Sequence, residues 1–113
     1  MQRGDLFLAP FLYTHLGESK RRPVCVVSGD AFNQGPDLIV ATVTSRRARL
    51  VTPGVGDLPL IEWERAGLLA PSTVRTGRLQ TIEASLLEGQ LGSLDTADLE
   101  AIDAALREVL QLA

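Results

Sequence analysis

Eight cations and three hydroxyls are the chemically promising side chains of this sequence. Lys20, Arg21 and Arg22 stand directly before Pro23 in "KRRPVCVVS" (20–28), and Arg46, Arg47 and Arg49 follow the strand-like "LIVATVTS" (38–45). Arg75 and Arg78 lie in "TVRTGRLQTIE" (73–83), and Thr42, Thr44 and Ser45 close the 38–45 run. The planar fork of arginine meets two phosphate oxygens at once, and a threonine hydroxyl can donate to the same oxyanion. That inventory suits metal-free cleavage of RNA, where the ribose 2′-hydroxyl is itself the nucleophile. The protein then has to position the phosphate, offset the charge growing on its oxygens and manage two protons. A carboxylate or histidine of suitable pKa would take the 2′ proton. Arginines are also commonly plain solvated charge, so residue types alone leave both readings open.

Other chemistries find little support. The single histidine, His15, excludes a histidine-based metal site, and no CxxC pair exists for zinc or redox work. Gly54 and Gly56 lack the strand-to-helix context and the lysine of a phosphate loop, and no G-x-S-x-G elbow occurs. The one cysteine, Cys25, lies inside an apolar run and reads as a small buried hydrophobe rather than a nucleophile. No metal or cofactor is expected.

At 113 residues the chain is expected to be one domain, 1–113, with a modest core. Apolar runs such as Leu38 to Ala41 are far too short to span a bilayer, and "MQRGDLFLAP" lacks a signal-peptide core. With a lone cysteine, these features imply a cytoplasmic, membrane-free protein. The net charge of −3 conceals an asymmetry. Residues 1–82 hold ten Lys and Arg against seven acids, whereas residues 83–113 hold only Arg107 against seven acids. A basic face is therefore compatible with an acidic whole.

The elements that must position these residues are mostly short strands. "DLFLAPF" (5–11), "PVCVVS" (23–28), "LIVATVTS" (38–45), "STVRTGRLQTIE" (72–83) and "LEGQLGSL" (87–94) read as strands, with Gly77 a candidate bulge. Residues 14–22 and 29–37 read as loops, and "RARLVTPG" (47–54) alternates before breaking at Pro53-Gly54. "LPLIEWERAGL" (58–68) predicts a short helix stopped by Gly67. A C-terminal helix over about 95–112 is the clearest element. Asp95 is its N-cap, Asp98 adds charge to its first turn, and Leu94 and Leu99 form a staple. Leu99, Ile102, Leu106, Val109 and Leu110 make the helical stripe, expected to pack on the core. The expected fold is a mainly β, strongly bent antiparallel sheet or barrel with a short inserted helix and a C-terminal helix.

The order of motifs resembles the MazF/PemK (Kid) family of bacterial toxin–antitoxin modules, in particular a PemK-like subgroup. The similarity runs from "RGDLFLAPF" through "RRPVCVVSGDAFN", "LIVATVTS" and "TVRTGRLQTIE" to "LGSLDTADLEAIDAALREVL". It implies a compact SH3-like barrel with a C-terminal helix, working as a homodimer. The implied activity is metal-independent cleavage of single-stranded RNA to a 2′,3′-cyclic phosphate and a 5′-hydroxyl. The implied partner is a cognate antitoxin whose acidic, partly disordered segment covers the basic groove, with DNA binding left to the toxin–antitoxin complex.

Carried over by residue, the arginine before the proline is Arg22, acting on the scissile phosphate, and Thr44 hydrogen-bonds the transition state. Glu18 lies where many members carry an acid in the preceding loop, and Arg75 matches a family arginine linked to cleavage. Lys20, Arg21, Ser45, Arg46, Arg78 and His15 are the remaining candidate substrate contacts, and Phe11, Tyr13 and Phe32 are candidates for base stacking. Many members read "(D/E)Q(I/P)RT(I/V)D" where this chain has "GRLQTIE", so Gly77 replaces an acid and Gln80 an arginine. Arg78 is a candidate to replace the lost cation. Glu18 and His15 are left as candidate proton acceptors, with Glu18 preferred. Two alternatives stay open: a non-enzymatic toxin of the CcdB type that inhibits a topoisomerase, and an RNA-binding module without catalysis.

Overall fold

The computed structural model describes the backbone of residues 1–13 and 18–113 and the side chains of 1–10 and 21–113. Six strands form one antiparallel sheet: β1 (Asp5–Tyr13), β2 (Glu18–Val26), β3 (Asp37–Thr44), β4 (Asp57–Pro59), β5 (Thr73–Glu83) and β6 (Glu88–Ser93). Their order across the sheet is β4-β5-β3-β2-β1-β6. Among the described residues three α-helices join them, α1 (Asp30–Asn33), α2 (Arg47–Val51) and α3 (Thr96–Leu110), with a 3₁₀ turn at Ala84–Leu86. This is the mainly β fold with a C-terminal helix that the sequence predicts. Its sheet, however, is not closed, because no pairing joins β4 to β6.

Strand alternation sorts the core into two layers. Leu6, Cys25, Ala41, Val43 and Val74 face one side, where Leu60, Ala66, Leu68 and Ile102 of α3 cover them. Phe7, Ala9, Val24, Val26, Leu38, Val40 and Ile82 face the other. β2 and β3 are buried on both faces, which is why they read as continuous apolar runs rather than alternating ones. Cys25 is fully buried, and desolvation pushes its thiol up to about 12, so it is an inert packing residue.

Three sequence expectations change. The 14–22 loop is shorter than expected, since β2 begins at Glu18 and carries Arg22 inside the strand opposite Ala9. The 58–68 segment is not a helix. Pro59 ends edge strand β4, where a missing N–H is tolerated. The chain then makes a single turn, with Ala66 N–H donating to Glu62 O (3.1 Å) and Leu68 N–H to Trp63 O (3.1 Å). Gly67 does end this turn, at φ +91°. Residues 47–51, whose alternation looked strand-like, form α2. Five residues are too few for a period of 2.0 to be told from one of 3.6.

The C-terminal helix matches its caps. The Asp95 carboxylate accepts from Ala97 N–H (3.1 Å), and Gln111 closes the other end in a left-handed conformation. Asp98 does more than charge the first turn. It is buried and accepts from the N–H groups of Ile61 (3.2 Å) and Glu62 (3.0 Å), tying α3 to the turn after β4. Arg3 reaches Asp103 of α3 and donates Nε–H to Val27 O (3.0 Å), fixing the chain start to the same helix.

The turn at Gly67 crosses β6 at backbone contact. A Cβ on Gly67 would lie 2.0 Å from Leu91 O, and the positive φ adds strain of its own. Gly67→Ala is therefore expected to lower unfolding free energy by at least about 2 kcal/mol in urea titration. Gly77→Ala, where nothing lies within 4 Å, should stay within about 0.5 kcal/mol of the parent.

Candidate active site

A cleft forms where the second core layer runs out of apolar side chains. On β2, Val26 and Val24 are followed on the same face by Arg22, and on β3, Leu38 and Val40 are followed by Thr42 and Thr44. On β5, Ile82 is followed by Gln80 and Arg78. One sheet face thus changes from core to polar site without changing strands.

Two backbone irregularities open it. Val27 N–H donates to Ile39 O of β3, so odd-numbered residues of β2 point their amides toward β3. Pro23 comes next in that series beyond Cys25 and has no proton to give. The β2–β3 pairing accordingly stops at Val24–Thr42, although β3 continues to Thr44. On the other side of β3, Ala41 pairs with Leu79 but Thr42 pairs with Arg75, so residues 76–78 of β5 stand without partners on β3. This bulge is anchored by Thr76, whose N–H (2.9 Å) and hydroxyl (2.8 Å) both donate to Gly56 O. Residues three apart in a regular strand face opposite ways; the bulge brings Arg75 and Arg78 to one cleft.

The cleft has a volume of about 610 Å³, and five arginines, Arg22, Arg46, Arg49, Arg75 and Arg78, line it. Thr42, Thr44, Ser45 and Gln80 add polar groups. Among the described residues no carboxylate or histidine belongs to the lining. Arg22 makes an interaction of its own within the chain. Thr44 Oγ1 accepts from Arg46 N–H (3.2 Å), which fixes the hydroxyl at the end of β3 and keeps its proton for donation.

Behind the lining lies Asp57, its side chain only 5% exposed. Its Oδ1 accepts from Arg75 Nε (3.2 Å), and its Oδ2 accepts from Arg49 Nη1 (3.4 Å) and Gly54 N–H (3.0 Å). Burial pushes this carboxyl up, but the Gly54 amide and the Arg75 and Arg49 guanidiniums outweigh it and hold Asp57 below the usual aspartate range.

Of the residues singled out by sequence, Arg22, Thr44, Ser45, Arg46, Arg75 and Arg78 meet in the cleft. Arg21 does not. Alternation turns it to the opposite face, where Nε pairs with Glu88 Oε2 (2.7 Å). Glu18 and Lys20 have backbones in β2, opposite Tyr13 and Phe11, and their side chains lie outside the described residues, as do those of Phe11 and Tyr13. His15 lies wholly outside them. Phe32 is exposed on α1 and Arg47 on α2, and neither lines the cleft. Sequence reasoning missed Asp57 altogether. Its only local signal is an acid after "PGVG", and the partner that gives it meaning is 18 residues away.

The chain matches, over residues 2–110, the sequence model of a family described as PemK-like, MazF-like toxin of type II toxin-antitoxin system. It belongs to that toxin family. No curated protein sequence matches it. Solved structures share its fold across nearly the whole length. An endoribonuclease in complex with its cognate antitoxin from a mycobacterial species superposes with a TM-score of 0.79 at 20% identity, covering 100% of this chain and 97% of that one. The Mycobacterium tuberculosis toxin MazF-mt6 gives 0.75 at 23% identity, covering 96% and 98%. A MazE–MazF complex from Deinococcus radiodurans gives 0.77 at 21% identity, covering 100% and 98%. No helix among the described residues of this PemK-like toxin is long and apolar enough to cross a membrane.

The depressed Asp57 titration sets a pH dependence. Its native pKa lies below the unfolded value, so its stabilisation is complete above the ordinary aspartate range and is lost as pH falls through the native value. Asp57→Asn should cost about 1–2 kcal/mol at pH 7. The gap between parent and variant should narrow as pH falls below the ordinary aspartate range, as read by urea unfolding across that range.

Proposed function

We propose that this toxin is a metal-independent endoribonuclease that cleaves single-stranded RNA to a 2′,3′-cyclic phosphate and a 5′-hydroxyl. The observation that carries the reading is the convergence of five arginines on Thr44 in one cleft. Family membership supports it, as do the endoribonuclease and MazE–MazF structures that share the fold.

In this reading the 2′-hydroxyl attacks the adjacent phosphorus and the 5′-oxygen leaves. Arg22 meets the scissile phosphate, offsets the charge on its non-bridging oxygens and hydrogen-bonds the leaving 5′-oxygen, which takes its proton from that guanidinium or from water. Thr44 donates to one of those oxygens, where a preorganised donor contributes most. Arg46, Arg49, Arg75 and Arg78 hold neighbouring phosphates, and Ser45 and Gln80 are hydrogen-bonding contacts at the rim. Asp57, already holding two arginines and titrating low, is poorly suited to accept the 2′ proton. That role goes to Glu18, at the start of β2, with His15 as its rival.

The active species is a cytoplasmic homodimer. An antitoxin with an acidic, partly disordered segment neutralises it, and the arginine-lined cleft is the complementary surface for that segment.

The experiment is single-turnover cleavage of a long RNA in EDTA. Arg22→Ala and Thr44→Ala should each lower the rate by about 10²–10³-fold, the usual loss for one transition-state donor, with circular dichroism unchanged. Glu18→Gln should remove the acidic limb of the pH–rate profile. Full activity in both the Arg22 and Thr44 variants would overturn the assignment of the site.

A further inference from the structure

Asp57 raises a question that charge counting answers wrongly. A buried acid behind an anion-binding cleft subtracts from the potential that draws a polyanion in, and it costs desolvation to keep it ionised. Its surroundings nevertheless hold it firmly in place. Asp57 stands opposite Arg75 in the β4–β5 register, and its own N–H donates to Gly54 O (3.0 Å) while Gly54 N–H returns a bond to Oδ2 (3.0 Å). The neighbouring Gly56 carbonyl receives both donors of Thr76 from the β5 bulge. The carboxylate is therefore fixed to the same irregularity that aims Arg75 and Arg78.

Arginine has five N–H donors in a rigid fork. Arg75 gives Nε–H to Asp57 Oδ1, and Arg49 gives an Nη1 donor to Oδ2. Each keeps most of its fork for another acceptor. The Arg49 backbone is held as well, because its carbonyl accepts from the buried Thr73 hydroxyl (3.1 Å). Two long cationic side chains that would otherwise repel each other and sample many rotamers are thus locked side by side on the cleft wall.

We propose that Asp57 is a positioning residue: it clamps Arg75 and Arg49 as a paired receptor whose remaining N–H groups grip a backbone phosphate of the bound strand. The proposal rests on the ribonuclease reading above and adds a residue that acts through others. Lost conformational freedom is spent in folding rather than at binding, which is what makes a preorganised clamp tighter than free arginines.

The two possible roles of Asp57 predict opposite signs. If it were only a counter-charge, Asp57→Asn would raise the cleft charge by one, tighten RNA binding and steepen its salt dependence. If it positions, the variant should bind a fluorescein-labelled, mixed-sequence 2′-O-methyl RNA about tenfold more weakly, with a salt slope shallower by about 1. Its kcat/KM should fall roughly 10²-fold. Arg75→Lys, which has no Nε fork to share, should show the same losses, and the double variant should lose no more than the larger single one. Independently of RNA, the Arg75 Nε–H resonance should be protected from exchange in the parent protein and collapse toward free-arginine behaviour in Asp57→Asn. Tighter binding by Asp57→Asn, additive losses, or an unchanged Arg75 Nε–H resonance would each overturn the clamp. Absence of RNA binding and cleavage in the parent, with the Nε–H effect present, would instead overturn the ribonuclease reading.

Discussion

The three-residue slip between β3 and β5 is the constraint on which the rest of this molecule depends. Below it, from Asp37–Glu83 to Ala41–Leu79, the two strands pair regularly and bury Leu38, Val40 and Ile82. Above it, the pairing resumes with Thr42 opposite Arg75, and the same sheet face becomes a basic cleft. Pro23 does the corresponding work on the other side of β3 by ending the β2 ladder for want of one proton. A regular continuation of the pairing would have set Arg78 opposite Thr42 and turned Arg75 to the other face, dividing the two arginines. Core and site are therefore one surface, split by two backbone irregularities.

Concentrating five guanidiniums in one place opposes folding through mutual repulsion and favours binding of an anionic strand. The structure handles that conflict unevenly. Arg22, Arg46 and Arg78 are exposed, where water screens their charge, while Arg75 and Arg49 are half-buried and share Asp57. The acidity of the chain is placed elsewhere, chiefly in residues 83–113, and several of those acids are structural: Asp95 caps α3 and Glu88 pairs with Arg21. Asp98 caps the turn after β4, and Asp103 holds Arg3. The overall negative charge and the basic cleft are thus separate properties of separate surfaces.

Much of this was legible in the sequence, for reasons that are local. Asp95 announces α3 because an N-cap and its first turn are adjacent in the chain, and the β-branched run at 38–45 announces β3. "RRP" and "VTS" single out Arg22 and Thr44 through the family resemblance rather than through residue type, and both residues line the cleft. What stayed hidden depends on pairing. That Arg21 turns away from the cleft is decided by strand parity, which a loop over 14–22 does not carry. The expected helix at 58–68 gave way to an edge strand and a turn because Asp98, more than thirty residues on, takes the Ile61 and Glu62 amides. Asp57 stayed hidden for the same reason: its meaning lies in Arg75 and Arg49, on other elements.

In the proposed reaction this cleft breaks RNA by attack of the 2′-hydroxyl, with arginines and Thr44 supplying the stabilisation. End-group analysis of a long RNA incubated with the purified protein in EDTA tests it most directly. Fragments should end in 2′,3′-cyclic phosphate, with 5′-hydroxyl partners that a kinase can label without prior phosphatase treatment. Intact RNA, cleavage only when divalent metal is restored, or fragments bearing 5′-phosphates would contradict it.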